Sequence, residues 1–225
     1  MSLAIFDLDN TLIAGDSDYL WGRFLVENGI VDPVHYEEAN ARFYEDYKNG
    51  SLDIARFLEF ALAPLSQHEP EKLYRWRENF IETKILPILL PAARELIEKH
   101  RRAGDIPIII TATNRFVTEP IARLYGIEYL IATTPEFREG RYTGRFLGIP
   151  CFRDGKVARL DEWLAEQALN LAGSWFYSDS HNDLPLLRKV DHAVAVDPDE
   201  TLARHAREQG WPIISLRGGD SPGAH

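Results

Sequence analysis

The sequence predicts an α/β protein, a doubly wound, Rossmann-like parallel sheet carrying an inserted all-helical cap. Three observations lead there. Short apolar runs of strand length recur along the chain and end on polar or acidic residues. Segments with helical patterning separate them, and one long stretch, residues 15–84, holds helical patterns only. Alternating strands and helices bury a parallel sheet between two helical layers. Strands covered on both faces read as continuous apolar runs, as these do.

The first run, Leu3-Ala4-Ile5-Phe6, ends at Asp7-Leu8-Asp9-Asn10 and reads as a buried strand entering a loop. Helical stretches follow over residues 19–28, 33–48, 52–62 and 71–84, with breaks at Gly29, Asn49-Gly50 and Pro64. The α/β pattern resumes with a helix over 91–102 and an apolar run over 106–110 that ends at Thr111-Ala112-Thr113-Asn114. A helix over 116–125 precedes a hairpin over 136–146, centred on Glu139-Gly140 and expected to leave the sheet. Next come a helix over 157–171, a run over 174–178 ending at Asp179, and a run over 192–196 ending at Asp197-Pro198. A helix over 200–209 and a fifth strand at 212–215 complete the pattern. The expected organisation is a core of residues 1–14 and 85–216, a cap of residues 15–84, and a flexible tail, 217–225, rich in Gly, Asp, Ser and Pro.

Composition excludes several function classes. Lys and Arg total 25 against 35 Asp and Glu, a formal charge of −10. That excess of carboxylates opposes a nucleic-acid partner, which needs a basic stripe, and an anionic membrane surface for the same reason. The longest apolar stretch, residues 85–93, is far short of a membrane span. The N-terminus lacks the basic region of a signal peptide. The single cysteine, Cys151, suits a reducing compartment. A cytoplasmic protein is expected.

In open α/β sheets, ligands bind outside the carboxyl ends of the strands. The runs deliver Asp7 and Asp9, Thr111, and Asp179 and Asp183 to such ends. Each has a plainer reading on its own: a turn residue, an Asx turn, or for Asp183 the N-cap of residues 184–187. Convergence resists those readings. Four carboxylates at one edge require a counter-charge, and a hard divalent cation with oxygen ligands, Mg2+ above all, supplies it. Lys156 opens a helix and could reach the same edge; taken alone it reads as a solvated surface lysine.

Together these residues carry a resemblance. Asp7-Leu8-Asp9-Asn10-Thr11 resembles the D-x-D-x-T signature of the haloacid dehalogenase superfamily, and Thr111 its second motif. Lys156 in Asp154-Gly155-Lys156-Val157 resembles the third, and Asp179-Ser180-His181-Asn182-Asp183 the fourth, D-x-x-x-D. The helical insertion between the first two motifs resembles the phosphoserine phosphatase-like branch. The resemblance implies a hydrolase of small phosphomonoesters in which Asp7 attacks phosphorus and forms an aspartyl-phosphate. Asp9 would serve as general acid and base, with Thr111 and Lys156 stabilising phosphoryl charge. Mg2+ would be held by the Asp7 carboxylate, the Asp9 main-chain carbonyl and Asp179. Asp183 would orient Lys156 or a metal-bound water, and Asn182 would touch phosphate or substrate. A regulatory phosphate-binding protein on the same fold is the non-enzyme alternative; the undegraded motif set speaks against it.

The cap implies the leaving group. Twelve of the 25 aromatic residues fall in residues 15–84, which carry 14 acidic and 8 basic residues. Most of those rings read as the core of a small lid, and a few could line an acidic, aromatic pocket for a cationic organic phosphate. By resemblance, Asp16, nine positions after Asp7, corresponds to the acid that binds the substrate ammonium in phosphoserine phosphatases. The arginine that grips the serine carboxylate falls on Ala61 when carried without gaps from the turn Gly50-Ser51-Leu52-Asp53. Arg56 lies on another face of that helix. A phosphorylated amino alcohol is implied, as for the histidinol-phosphatases of this branch. Phosphoserine, held by Arg56 or another cap arginine, is the alternative.

Overall fold

The computed structural model describes residues 2–218. Seven strands form one sheet: β1 (Leu3–Phe6), β2 (Ile106–Asn114), β3 (Tyr129–Arg138), β4 (Arg141–Leu147), β5 (Trp175–Ser178), β6 (His192–Val196) and β7 (Ile213–Ile214). Their order is β4-β3-β2-β1-β5-β6-β7. All neighbours are parallel except β3 and β4. From β1 the chain steps one way to β2 and β3, then returns to the other side of β1 for β5 and β6. The switch point of the sheet, where a crevice opens, therefore lies at the carboxyl ends of β1, β2 and β5.

The core strands are sealed on both faces. In β1 all four residues are buried, Ala4 and Phe6 joining one apolar cluster and Leu3 and Ile5 the other. That is the two-residue alternation of a pleated strand. The first cluster takes in Ala93 and Ile97 of α5 (Pro91–Ala103) and Val117 and Ile121 of α6 (Arg115–Leu124). The second takes in Leu160 and Leu164 of α7 (Asp154–Gln167), Leu186 and Leu187 of α8 (Leu184–Leu187), and Leu202 and Ala206 of α9 (Glu200–Gln209).

Between β1 and α5 the chain forms four helices, α1 (Ser17–Glu27), α2 (Pro33–Lys48), α3 (Ile54–Ser66) and α4 (Pro70–Phe80). Asp16, Asp32 and Asp53 cap the first three through side-chain hydrogen bonds to free backbone N–H groups. Each such cap contributes about 1 kcal/mol. Trp21, Phe24 and Phe80 pack ring against ring at 5.2–5.7 Å in the centre of this insertion. Its two crossings lie side by side, with Ile13 bridged to Leu89 and the Ala14 N–H donating to the Ile88 carbonyl.

Several elements differ from the sequence reading. The hairpin does not leave the sheet: its first strand begins at Tyr129 and pairs parallel with β2 from Ile108↔Tyr129 to Thr111↔Ala132. Only beyond Thr133 does it turn antiparallel to β4. The apolar run that marks it is four residues, Tyr129-Leu130-Ile131-Ala132, directly after the turn at Gly126, and merges with the end of the helical pattern. Helix α7 starts three residues before its expected start and stops at Ala168, whose φ of +53° ends it. The expected helix over 71–84 breaks at Phe80 into a wide turn over Ile81–Ile85. Pro64 lies inside α3, in its last turn, where the missing N–H removes one bond and the helix still reaches Ser66. Of the expected tail, residues 219–225 lie outside the described residues. No helix among the described residues is long and apolar enough to cross a membrane.

Candidate active site

The site grows out of the end of β1. The Asp7 N–H donates to the Tyr177 carbonyl at 2.9 Å, which carries the sheet ladder one residue past the strand. The chain then turns back on itself. The Leu8 carbonyl accepts from Thr11, Leu12 and Ile13, and Asn10 takes a φ of +55°, a conformation asparagine tolerates better than most side chains. This turn holds Asp7 and Asp9 at the carboxyl edge of the sheet.

Lys156, in the first turn of α7, is buried and not solvated. Its Nζ lies 2.7 Å from Asp7 Oδ1 and 2.8 Å from the Asp183 carboxylate. Burial alone would lower its pKa, but Asp183 and Asp7 outweigh burial and hold the ammonium charged. Asp183 is not used as a side-chain helix cap; its Oδ2 also accepts the Ser178 hydroxyl at 2.7 Å. Burial pushes the Asp7 carboxyl up to about 7 against the pull of Lys156, with Asp183 and Asp9 adding to the rise.

Asp9 is held by three donors. Its Oδ1 accepts the Ser17 N–H at 2.6 Å, and its Oδ2 accepts the hydroxyls of Thr113 at 2.8 Å and Thr111 at 3.3 Å. Thr113, which the sequence reading placed at this strand end without a site role, lies on the same face as Thr111 by the two-residue period of a strand. Ser178 was missed as well; a buried serine inside an aromatic strand gives no local sign of its partner.

Asp179 closes the third side. Its N–H donates to Thr11 Oγ1 at 3.1 Å, and that hydroxyl lies between Asp7 Oδ2, at 3.5 Å, and Asp179 Oδ1, at 3.3 Å. Burial, with Asp7 and Asp183 nearby, raises the Asp179 carboxyl well above its usual range. A buried and a half-buried carboxylate thus meet across one hydroxyl, while among the described residues the only lysine in contact sits on the other oxygen of Asp7. An all-oxygen set short of positive charge suits a hard cation. No three His, Cys, Asp or Glu side chains among the described residues close into a full metal cage. A cation here would complete its shell with main-chain and solvent oxygens, as Mg2+ habitually does.

A cavity stands over this edge. Its floor is Asp7, Asp9, Thr111, Lys156 and Asp183, and its roof comes from α1, α2 and the start of α3. Asp16 lines the cavity while its Oδ1 caps α1, accepting from Asp18 and Tyr19 N–H at 3.0 and 2.8 Å. Burial and the neighbouring Asp9 push its carboxyl up to about 7. Asp18 lines the roof too and is raised well above its usual range, first by burial. Asn182 lines one wall with its amide committed: Oδ1 accepts Arg153 Nε at 3.0 Å, and Nδ2 donates to the Tyr47 carbonyl at 3.2 Å.

Two cap positions need correction. Ala61 is buried in α3 but does not line the cavity; Ile54 and Phe57 supply that helix's contribution. Arg56 is exposed, beside Asp53 at 3.5 Å, and does not line the cavity either. Among the described residues Lys156 is the only Lys or Arg in the lining.

Residues 4–188 match the model of the haloacid dehalogenase-like hydrolases. The chain is 46% identical over 220 residues to a histidinol-phosphatase of Neisseria meningitidis, covering 96% of this chain and 99% of that one. It is 34% identical over 217 residues to a phosphoserine phosphatase of Mycobacterium tuberculosis, covering 95% of this chain and 70% of that protein. A crystal structure of a protein of unknown function from Bordetella pertussis superposes with a TM-score of 0.90 at 45% identity, covering 96% and 98% of the two chains. A substrate-bound phosphoserine phosphatase superposes with a TM-score of 0.70 at 17% identity, covering 97% and 94%, a likeness of fold alone. The chain belongs to the haloacid dehalogenase-like hydrolases, within their phosphoserine phosphatase-like branch of phosphatases.

Proposed function

We propose that this phosphatase hydrolyses histidinol phosphate in the cytoplasm, with Mg2+ as its metal. The carrying observation is the charge of the cavity: Asp16 and Asp18 face it, and its single Lys or Arg, Lys156, is already shared by Asp7 and Asp183. An amine-bearing substrate finds carboxylates there. A substrate carboxylate, as in phosphoserine, finds no free cation, and an unpaired charge of that kind is costly once desolvated. Tyr19, Tyr44 and Phe57 of the lining offer faces for an imidazole ring. The similarity to the Neisseria histidinol-phosphatase supports the same reading.

In this reading residues 1–14 and 85–216 are the catalytic core and residues 15–84 a cap that selects the leaving group. Asp7 attacks phosphorus; its oxygen forms the new bond as the bond to the leaving alkoxide breaks, giving an aspartyl-phosphate. Asp9, held by Ser17, Thr111 and Thr113, gives its proton to that alkoxide and then takes one from the water that hydrolyses the intermediate. Lys156, kept charged and aimed by Asp183 and Ser178, offsets phosphoryl charge beside Asp7, and the Thr111 hydroxyl lies at the same edge. Asp7, the Asp9 main-chain carbonyl and Asp179 would hold Mg2+, which when bound neutralises phosphoryl oxygens. Asn182, whose amide is taken by Arg153 and the Tyr47 carbonyl, would meet substrate only as part of the wall.

Steady-state kinetics on purified protein test the assignment. Histidinol phosphate should exceed phosphoserine in kcat/KM by about 10²-fold or more. A preference for phosphoserine, or equal rates, would reassign the enzyme to phosphoserine.

A further inference from the structure

Two backbone carbonyls of the turn that ends α2, those of Tyr47 and Gly50, are taken by core side chains. The Arg153 guanidinium donates to the Gly50 carbonyl, its Nε donates to Asn182 Oδ1 at 3.0 Å, and Asn182 Nδ2 donates to the Tyr47 carbonyl at 3.2 Å. One arginine and one asparagine therefore tie the insertion to two loops of the core. Arg153 also stacks its guanidinium over Phe152, 5.0 Å from the ring centre, and the Phe152 ring packs 6.1 Å from that of Tyr47. Tyr47, Phe152 and Asn182 all line the cavity, so this tie is one of its walls.

The backbone beneath it is under strain. Arg153 has φ +51° and ψ −122°, an arrangement that non-glycine residues rarely adopt. The turn is tight enough that a Cβ at Gly155 would stand 2.0 Å from the Pro150 carbonyl oxygen. The same turn starts α7, where the Lys156 N–H donates to the Arg153 carbonyl at 3.0 Å. Strain held at a functional edge needs compensation from its surroundings, and the bonds to Gly50 and Asn182 are what Arg153 gains.

We infer that Arg153 is a specificity-determining positioning residue: its guanidinium latches the α2–α3 turn onto the core, setting the wall against which the leaving group is recognised. It touches no reacting atom. The inference rests on the phosphatase reading but not on which amino-alcohol phosphate is the substrate. Losing the latch should weaken recognition of a leaving group read by the cap, and should matter little for an ester whose leaving group the cap does not read.

The fold supplies a wedge that leaves Arg153 intact. A Cβ at Gly50, where φ is +71°, would come 3.0 Å from Arg153 Nη2 and 3.1 Å from His181 Nε2. Gly50→Ala should push the turn off the latch. Gly29→Ala is its control, with φ +62° and open space around the position, so it carries the backbone strain without the collision.

The experiment compares wild type, Arg153→Ala, Arg153→Lys, Gly50→Ala and Gly29→Ala. Each is assayed on the faster of histidinol phosphate and phosphoserine, and on p-nitrophenyl phosphate, with amide hydrogen exchange in parallel. Arg153→Ala and Gly50→Ala should raise KM for the amino-alcohol phosphate about tenfold, and kcat/KM for p-nitrophenyl phosphate should move less than about threefold. Amides of residues 47–52 should exchange faster while those of β1 and β2 keep their protection. Arg153→Lys should recover part of the loss, and Gly29→Ala should match wild type in KM. Equal losses on both substrates with unchanged exchange at 47–52 would overturn the latch and leave Arg153 a residue of the core fold. If neither amino-alcohol phosphate were hydrolysed, the substrate reading would fall, and the exchange pattern would still decide the latch.

Discussion

The floor and the roof of the cavity are both acidic, yet they handle their charge in opposite ways. On the floor nearly every carboxylate oxygen has a named donor: Lys156 on Asp7, Ser178 and Lys156 on Asp183, Ser17, Thr111 and Thr113 on Asp9. On the roof Asp16 is held by backbone N–H groups, and neither it nor Asp18 meets a cationic side chain among the described residues. The floor is preorganised for a reaction before any substrate arrives. The roof is short of positive charge in a way that a bound amine corrects. In the proposed reading, reaction type and substrate choice are carried by separate layers of one cavity.

The most severe way to break the floor is Asp7→Asn. The amide keeps the shape and can still accept from Lys156, but it cannot attack phosphorus. Turnover should fall about 10⁴-fold or more, with the circular dichroism spectrum unchanged. Activity near wild type would remove the aspartyl-phosphate from the mechanism.

Removing the cation should cost nearly as much. Asp7 and Asp179 stand apart on either side of Thr11 with no lysine between them. Chelation should silence the enzyme, and Mg2+ should restore it. Ca2+ should inhibit, since it accepts more oxygens and would draw the second oxygen of Asp7 away from attack. Full activity after exhaustive chelation would contradict the assignment.

The two layers also differ in how far the sequence discloses them. The floor sits on strands that read as unbroken apolar runs, and its carboxylates follow directly at the strand ends, so local pattern was enough. Lys156 was ambiguous alone because its surface or buried state depends on Asp7 and Asp183, which are distant in sequence. Thr113 and Ser178 were hidden because a hydroxyl inside a strand looks the same whether or not it serves a carboxylate. The roof was far less legible. Carrying a family position onto Ala61 assumed a helix register, and α3 instead turns Ile54 and Phe57 to the cavity. Arg153 had no local signature, since its role depends on a carbonyl at Gly50.

The smallest effect belongs to Asp16, and it is the one that separates two jobs of a single carboxylate. As the N-cap of α1, Asp16 stabilises the insertion; as a roof carboxylate, it would offer charge to an amine. Asparagine caps a helix about as well as aspartate, so Asp16→Asn removes the charge and keeps the cap. Asp16→Ala removes both. Loss of a cap, at about 1 kcal/mol, should lower Tm by roughly 2–4 °C in a chain of this size. Asp16→Asn should therefore hold Tm near wild type while raising KM for histidinol phosphate about three- to tenfold, the loss of one charged hydrogen bond in a partly solvated site. The ratio of histidinol phosphate to phosphoserine should narrow by the same factor, because phosphoserine gains from the removal of a nearby negative charge what it loses at its own amine. If Asp16→Asn left that ratio untouched while Asp16→Ala lowered Tm, Asp16 would be a helix cap only. Recognition of the amine would then rest on Asp18, two residues further along the chain in the roof.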